Sequence, residues 1–454
     1  MDDIIKEVFA IDNISLDHSE IVTVNDKRVK KYWFNYSGDV PAVCPNCNNK
    51  MYSHGTRDIS VNDTPLGGVP VIINISFKRM RCPSCKNVWK PEFPELKEEH
   101  KLTQRAYSTI ANKCLHNTFS EVAHDYSFKD NTAKNVFTNF LAENEQKLRF
   151  KTPVFMGIDE IKIKKLGEVT VITDLEHRTL YDMLLGRNQK SLMEYFMNMP
   201  DRETVKWVCS DMYRPFKKSI GETMPNARWA IDHFHVVMKA NEAVDEVRRT
   251  IQKDMDKDER INTKRGLAYT LKKRTDDMDT EESEKIKAMR DIPKYKDLVT
   301  AFDLKEDFFN IYDNNYPNGS KENAMADFES WEQTIPEDKI FEKFRELATT
   351  VHNFYDQIFN YWECPIHISN GYTECTNRII RENNLKGRGY TFEVLRGRTL
   401  YRRSNIANIE KYGLKLGPAI ITDEPLFRFD STSENSDVDE EPEYEPFPEP
   451  DYED

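Results

Sequence analysis

Two copies of one short motif constrain the N-terminal part of this chain more than any other feature. Cys44-Pro45-Asn46-Cys47 and Cys82-Pro83-Ser84-Cys85 each set two thiols on a tight turn, and 34 residues separate them. Two such turns at the ends of hairpins can bring four thiolates into a tetrahedron, which is a closed structural zinc site. The other cysteines (Cys114, Cys209, Cys364 and Cys375) are scattered. In a long chain with an acidic start (Met1, Asp2, Asp3) and no apolar leader, paired Cys-x-x-Cys reads as metal binding before disulfides. The β-rich stretch Val69–Phe77 between the pairs predicts a zinc ribbon with a long hairpin. His54 and His100 read as surface or loop histidines. Lys78, Arg79 and Arg81 either face DNA phosphates or form a solvated strand face.

The net charge of −13 argues against a nucleic-acid partner until its distribution is considered. Asp423 to Asp454 holds 14 acidic residues and one Arg, leaving 64 of each sign in the rest. A neutral body can carry basic faces. The tail, broken by Pro442, Pro446, Pro448 and Pro450, has no core-forming pattern and is expected to be disordered. No apolar run approaches the roughly 18 residues of a membrane span. A soluble, cytoplasmic (nucleoid-associated) protein without membrane contact is expected.

Residues 1–35 alternate apolar and polar like short strands, and the period becomes helical over 102–145. Phe119–Tyr126 and Thr132–Leu141 are two expected helices joined by Ser127–Asn131, with Ala123 on the inner face and Asn131 or Thr132 as a cap. The exposed positions Lys134, Asn135 and Asn139 suit a major groove. This is either a helix-turn-helix or another three-helix packing unit. Strands follow at Val154–Ile158, Val169–Asp174, Leu180–Leu185 and Val205–Cys209, with helices at Ser191–Met199 and Pro215–Glu222, an α/β pattern. Residues 233–360 are charged and helical in pattern, and 369–384 form a further helix.

Three acids fall where this pattern ends its elements. The strand Val154–Ile158 runs into Asp159 and Glu160, which point to opposite faces because strand side chains alternate. The strand ending at Ser210 runs into Asp211, and Glu374 lies in the first turns of a helix that Ser369 or Asn370 can cap. Carboxylates are hard ligands that suit Mg²⁺ or Mn²⁺.

In order, the chain carries a Cys-Pro-x-Cys ribbon, the paired helices and Gly157-Ile158-Asp159-Glu160. Then come Ser210-Asp211-Met212-Tyr213-Arg214-Pro215-Phe216, Ala230-Ile231-Asp232-His233-Phe234-His235-Val236 and Ser369-Asn370-Gly371-Tyr372-Thr373-Glu374-Cys375-Thr376-Asn377. This collinear series over about residues 40–415 resembles the bacterial insertion-sequence transposases of the ISL-three type. The resemblance implies a ribonuclease-H-like catalytic domain with an Asp-Asp-Glu triad on Asp159, Asp211 and Glu374, holding Mg²⁺ or Mn²⁺. It implies cleavage and transfer of transposon DNA ends, with terminal inverted repeats and target DNA as partners. Two ends must be brought together, so a homodimer or larger assembly is expected. Asp232 and His235 match a further Asp-x-x-His motif, in a supporting role; a cap and a core histidine is the plainer alternative.

The resulting architecture is a multidomain α+β chain. A β-rich region with the ribbon spans 1–98 and a helix-turn-helix domain 99–150. The first part of the catalytic core spans 151–239, a helical insertion 240–362, the last part of the core 363–420 and the tail 421–454. After Glu374 the chain is basic, with Arg388, Arg396 and Arg398 among aromatic residues, a composition suited to DNA or to a solvated helix face. A non-catalytic zinc-ribbon and helix-turn-helix regulator derived from such an element is the rival reading. It has no need of all three acids.

Overall fold

The computed structural model describes residues 7–24, 27–147, 149–253, 255, 260, 266–317 and 319–416. The acidic tail lies outside them. The N-terminal strands are long: β1 (Ile14–Val24) and β2 (Lys27–Tyr36), then the hairpin β3 (Tyr52–Leu66) and β4 (Val69–Arg81). Gly67 and Gly68, both at positive φ, make its tip. Three two-residue strands follow: β5 (Val88–Trp89), β6 (Leu96–Lys97) and β7 (Leu102–Thr103). The sheet order is β1-β2-β4-β3-β7-β6, with β5 on β4. Alternate residues Val71, Ile73, Ile75 and Phe77 of β4 are buried, as the period-2 pattern requires.

The helices α1 (Gln104–His116), α2 (Phe119–Tyr126) and α3 (Asp130–Lys147) come next. Thr103 caps α1, accepting from the Ala106 N–H, and Thr118 with Glu121 forms a capping box on α2. Ser127, in the left-handed conformation, closes α2. The chain re-enters a helix at Asp130, so the expected caps Asn131 and Thr132 lie inside the first turn of α3. A buried ion pair ties α1 to the ribbon hairpin. Asp63 on β3 accepts from Thr103 Oγ1 at 2.6 Å and Arg105 Nε at 2.7 Å.

After β8 (Arg149–Phe150) a five-stranded sheet forms from β9 (Phe155–Ile163), β10 (Gly167–Asp174), β11 (Thr179–Leu185), β12 (Trp207–Ser210) and β13 (Arg228–Ile231). Its order is β11-β10-β9-β12-β13, with β9, β10 and β11 antiparallel and β12 and β13 parallel to β9. The sequence pattern did not single out β13, whose four residues carry no alternation. Helices α4 (Gln189–Asn198) and α5 (Arg214–Thr223) connect the later strands, and α6 (His233–Gln252) leads out of β13.

The helical stretch holds α7 (Gly266–Thr270), α8 (Thr280–Arg290), α9 (Lys296–Asn315), α10 (Lys321–Gln333), α11 (Glu342–Asn353) and α12 (Tyr355–Phe359). Its buried residues Leu298, Phe302, Phe344 and Leu347 join one continuous apolar core with Val208, Ile231 and Val244. The helical stretch therefore shares the core of the sheet. The chain ends with α13 (Gly371–Lys386), α14 (Phe392–Leu400), α15 (Arg403–Lys411) and β14 (Lys415–Leu416), which pairs with β8.

A second core fuses α1–α3 to the sheet through Ile161, Val171, Ile380 and Leu395. Two residues of α14 depend on this seam. A Cβ on Gly397 would stand 2.4 Å from Leu141 Cδ1, so only Gly lets α14 meet α3 this closely. Arg398 is 1% exposed and donates to the Cys114 and Asn117 carbonyls at the end of α1, with its guanidinium 4.7 Å from the Tyr390 ring centroid. Arg398→Ala strands those carbonyls and is expected to destabilise the chain by about 2–4 kcal/mol, measured as a lowered denaturation midpoint.

Candidate active site

The parallel registers of the second sheet align its acids. Cys209 on β12 lies beside Gly157 on β9, and Ser210 beside Ile231 on β13. Two residues beyond the first pair are Asp159 and Asp211, and one beyond the second are Asp211 and Asp232. Three acids thus stand on one rung of adjacent strands, with side chains of equal parity on one face. Their charges interact: Asp211 repels Asp159, and Asp159 and Asp232 both repel Glu374. Burial, first of all, pushes the carboxyls of Asp159, Asp211 and Glu374 up from the ordinary carboxylate range. A cation among them would reverse that trend.

Glu374 reaches this face because α13 packs against β9 at its N-terminus. Asn370, fully buried, does not cap the helix; its Nδ2 donates to the Ile158 carbonyl at 3.0 Å. Ser369 Oγ instead accepts from the Gly371 N–H at 3.2 Å. Thr373 Oγ1 lies 2.6 Å from Thr173 Oγ1 of β10. The approach is open only because residue 157 is Gly. A Cβ there would stand 2.5 Å from Thr173 Oγ1 and 2.6 Å from Thr373 Oγ1.

Two contacts fix the carboxylates. Asn377, one turn after Glu374, donates from Nδ2 to Asp159 Oδ2 at 2.5 Å, and the Tyr213 N–H donates to Asp211 Oδ1 at 3.1 Å. Sequence reasoning gave Asn377 no role; its i+3 spacing from Glu374 was the available signal. Glu160 sits apart, accepting from Arg187 Nη1 at 2.8 Å, and burial pushes it to about 7 despite that partner. Arg187 stacks 4.9 Å from the Tyr213 ring centroid, beside Asp211.

The tightest gathering is not the triad. The ligand atoms that all lie within 4.8 Å of one another belong to Asp232, His235 and Glu374. Asp232 occupies the N-cap position of α6 but its side chain caps nothing, which removes the plainer alternative for it.

The four ribbon thiols also converge. Their Sγ atoms all lie within 4.8 Å of one another, with Cys44–Cys85 and Cys47–Cys82 at 3.5 Å. Thiolates held tetrahedrally at about 2.3 Å from zinc stand about 3.8 Å apart, so the set fits the ion. The two turns repeat each other. Asn48 and Lys86 are left-handed, and the Asn49 and Asn87 carbonyls accept from the Cys44 and Cys82 N–H groups.

The expected DNA-contact residues divide. Lys134 and Asn135 are exposed on α3 in one stripe with Asn131 and Thr138, and Arg388 is exposed on the turn after α13. Arg396 and Arg398 do not face outward. Arg396 is held by Asp182 of β11 at 2.6 Å and by Glu145 of α3, whereas Arg398 turns onto the end of α1 and is buried, so the expectation of DNA contact is corrected for Arg398.

Gly157→Ala is expected to cost about 1–3 kcal/mol through overpacking and to displace Glu374, read as a lower melting temperature. The purified chain should carry one tightly bound zinc, and Cys82→Ser should lose it in metal analysis.

A zinc-finger family of the transposases IS204, IS1001, IS1096 and IS1165 matches residues 41–85, the ribbon with both cysteine pairs. The ISL3-type DDE transposase family matches residues 156–399, which is more than half of the chain and contains Asp159, Asp211, Asp232 and Glu374. No curated protein matches the chain. Among the described residues no helix is long and apolar enough to cross a membrane. The chain belongs to the ISL3-type family of DDE transposases.

Proposed function

We propose that this transposase binds the ends of an insertion sequence and catalyses metal-dependent strand cleavage and strand transfer through Asp159, Asp211 and Glu374. The observation that carries this reading is the shared face of the three carboxylates, two from adjacent parallel strands and one from a helix that follows 162 residues later. The sheet order, with three antiparallel strands and two parallel ones beyond β9, supports a ribonuclease-H-like core. The exposed stripe on α3 supports a helix-turn-helix reading, with Lys134 and Asn135 toward bases and phosphates and Arg388 toward the backbone. Two ends require two such sites, so the working form is a dimer or larger.

The carboxylates would hold Mg²⁺ or Mn²⁺, as hard oxygen ligands do. Such ions supply activation of water or a 3′-hydroxyl and offset charge on the phosphodiester. The protein's own contribution is orientation. Asn377 fixes one oxygen of Asp159, and the Tyr213 N–H fixes one oxygen of Asp211. Asn370 and Thr373 seat the helix turn that carries Glu374. Groups held this way need little reorganisation when substrate arrives.

The test is cleavage of linear DNA bearing the element's own ends, with Mg²⁺. Asp159→Asn and Glu374→Gln should each lower cutting by more than about 100-fold, beyond the effect of losing an outer-shell partner, while end binding by gel shift persists. Cutting by Asp159→Asn at the wild-type rate would sink the triad. End binding without cutting by the wild type would favour the regulator.

A further inference from the structure

Asp232 and His235 differ from the triad acids in lacking partners. Asp232 is 1% exposed, and neither of its carboxylate oxygens accepts a hydrogen bond. Its nearest basic atom, His233 Nδ1, is 3.5 Å away and makes no hydrogen bond either. His235 Nε2 is also buried with no partner. A buried carboxylate without hydrogen bonds is among the least tolerated groups in a protein interior, and native structures complement it. Asn370, Thr373 and Asn377 are all engaged elsewhere around the same site. What remains in reach besides the His233 ring is Glu374, itself an acid.

The geometry suits an ion better than it suits a proton network. Asp232 and His235 lie one helical turn apart on α6 and face the same way. With Glu374 they offer two carboxylates and one imidazole, all within 4.8 Å. Oxygen and nitrogen ligands at about 2.0–2.2 Å from one ion stand up to about 4.4 Å apart across it. Asp232, at the end of β13, is one strand further from β9 than Asp211, so a cation here is displaced sideways from one between Asp159 and Asp211.

We infer that Asp232, His235 and Glu374 form a divalent-cation site of their own, sharing Glu374 with the triad, and that its imidazole selects Mn²⁺ or another first-row transition ion over Mg²⁺. The selectivity follows from ligand type. Mg²⁺ takes oxygen and dehydrates reluctantly, whereas imidazole suits the first-row transition ions. The inference rests on the reading of Glu374 as an active-site carboxylate and adds two ligands and a metal preference to it.

The test is a Mn²⁺ titration of the full chain with its ribbon loaded with zinc, following the electron paramagnetic resonance signal of free Mn²⁺, without DNA. The wild type should hold a Mn²⁺ that Mg²⁺ displaces poorly. His235→Gln and Asp232→Asn should each weaken it by about tenfold or more, whereas Asp211→Asn should retain it. Co²⁺ absorption in the visible should change between wild type and His235→Gln, because a nitrogen ligand is lost. Zinc content and circular dichroism check folding. If Asp232→Asn fails to fold, His235→Gln, at a less buried position, decides alone. Unchanged Mn²⁺ affinity in His235→Gln, or loss of the ion in Asp211→Asn alone, overturns the site. These outcomes are independent of the cleavage assay. A triad refuted by an active Asp159→Asn leaves the titration readable, and a failed titration leaves the triad standing.

Discussion

The seating of α13 on β9 is the contact on which the rest of the acid-bearing face depends. It joins residues about 200 apart in sequence through a few atoms: the missing Cβ of Gly157, the Thr173–Thr373 pair and the Asn370 amide on the Ile158 carbonyl. Polar contacts this deeply buried are expensive to leave unmade, so the helix has one register on the sheet and not several. Glu374 and Asn377 take their positions from that register. The acid faces its counterparts, and the amide holds Asp159. The strand registers supply the other half of the geometry, since adjacent parallel strands place Asp159, Asp211 and Asp232 at one level.

The N-terminal units are joined to this face without a linker. Asp63 ties the ribbon hairpin to α1, and Arg398 ties the end of α1 to α14. The apolar residues of α1–α3 are continuous with those of β9–β11 and α13. The exposed stripe of α3 is therefore held at a fixed distance from the acids.

Much of this was legible in the sequence because it is local. The matched Cys-Pro-x-Cys turns, the helices over 102–145 and the strands running into Asp159 and Asp211 follow from spacing and alternation. The acids also stood out from their expected places at element ends, although β9 runs on past Asp159 to Ile163. What was illegible depends on tertiary contacts. Arg396 and Arg398 look like a DNA-facing pair in composition, yet the first is paired with Asp182 and Glu145 and the second is buried on the end of α1. Asn370 reads as a cap but serves as a cross-link. Strand β13 is too short for a period, so the level of Asp232 with Asp211 could not be counted from sequence. The partition into core and insertion follows from the resemblance and from the length of chain between Asp211 and Glu374, and it could not show that one apolar core runs through the sheet and the helical stretch.

Helix α6 begins at His233, just after Asp232, and runs without interruption to Gln252, a rod of about 30 Å. Its first turn carries His235 and its far turns pack against α9 and α11 of the insertion. The insertion is thus not a cassette that can be lifted out and the ends rejoined. A chimera that exchanges it between relatives must keep the phase of this rod, because each residue added or removed within it rotates everything beyond by about 100°.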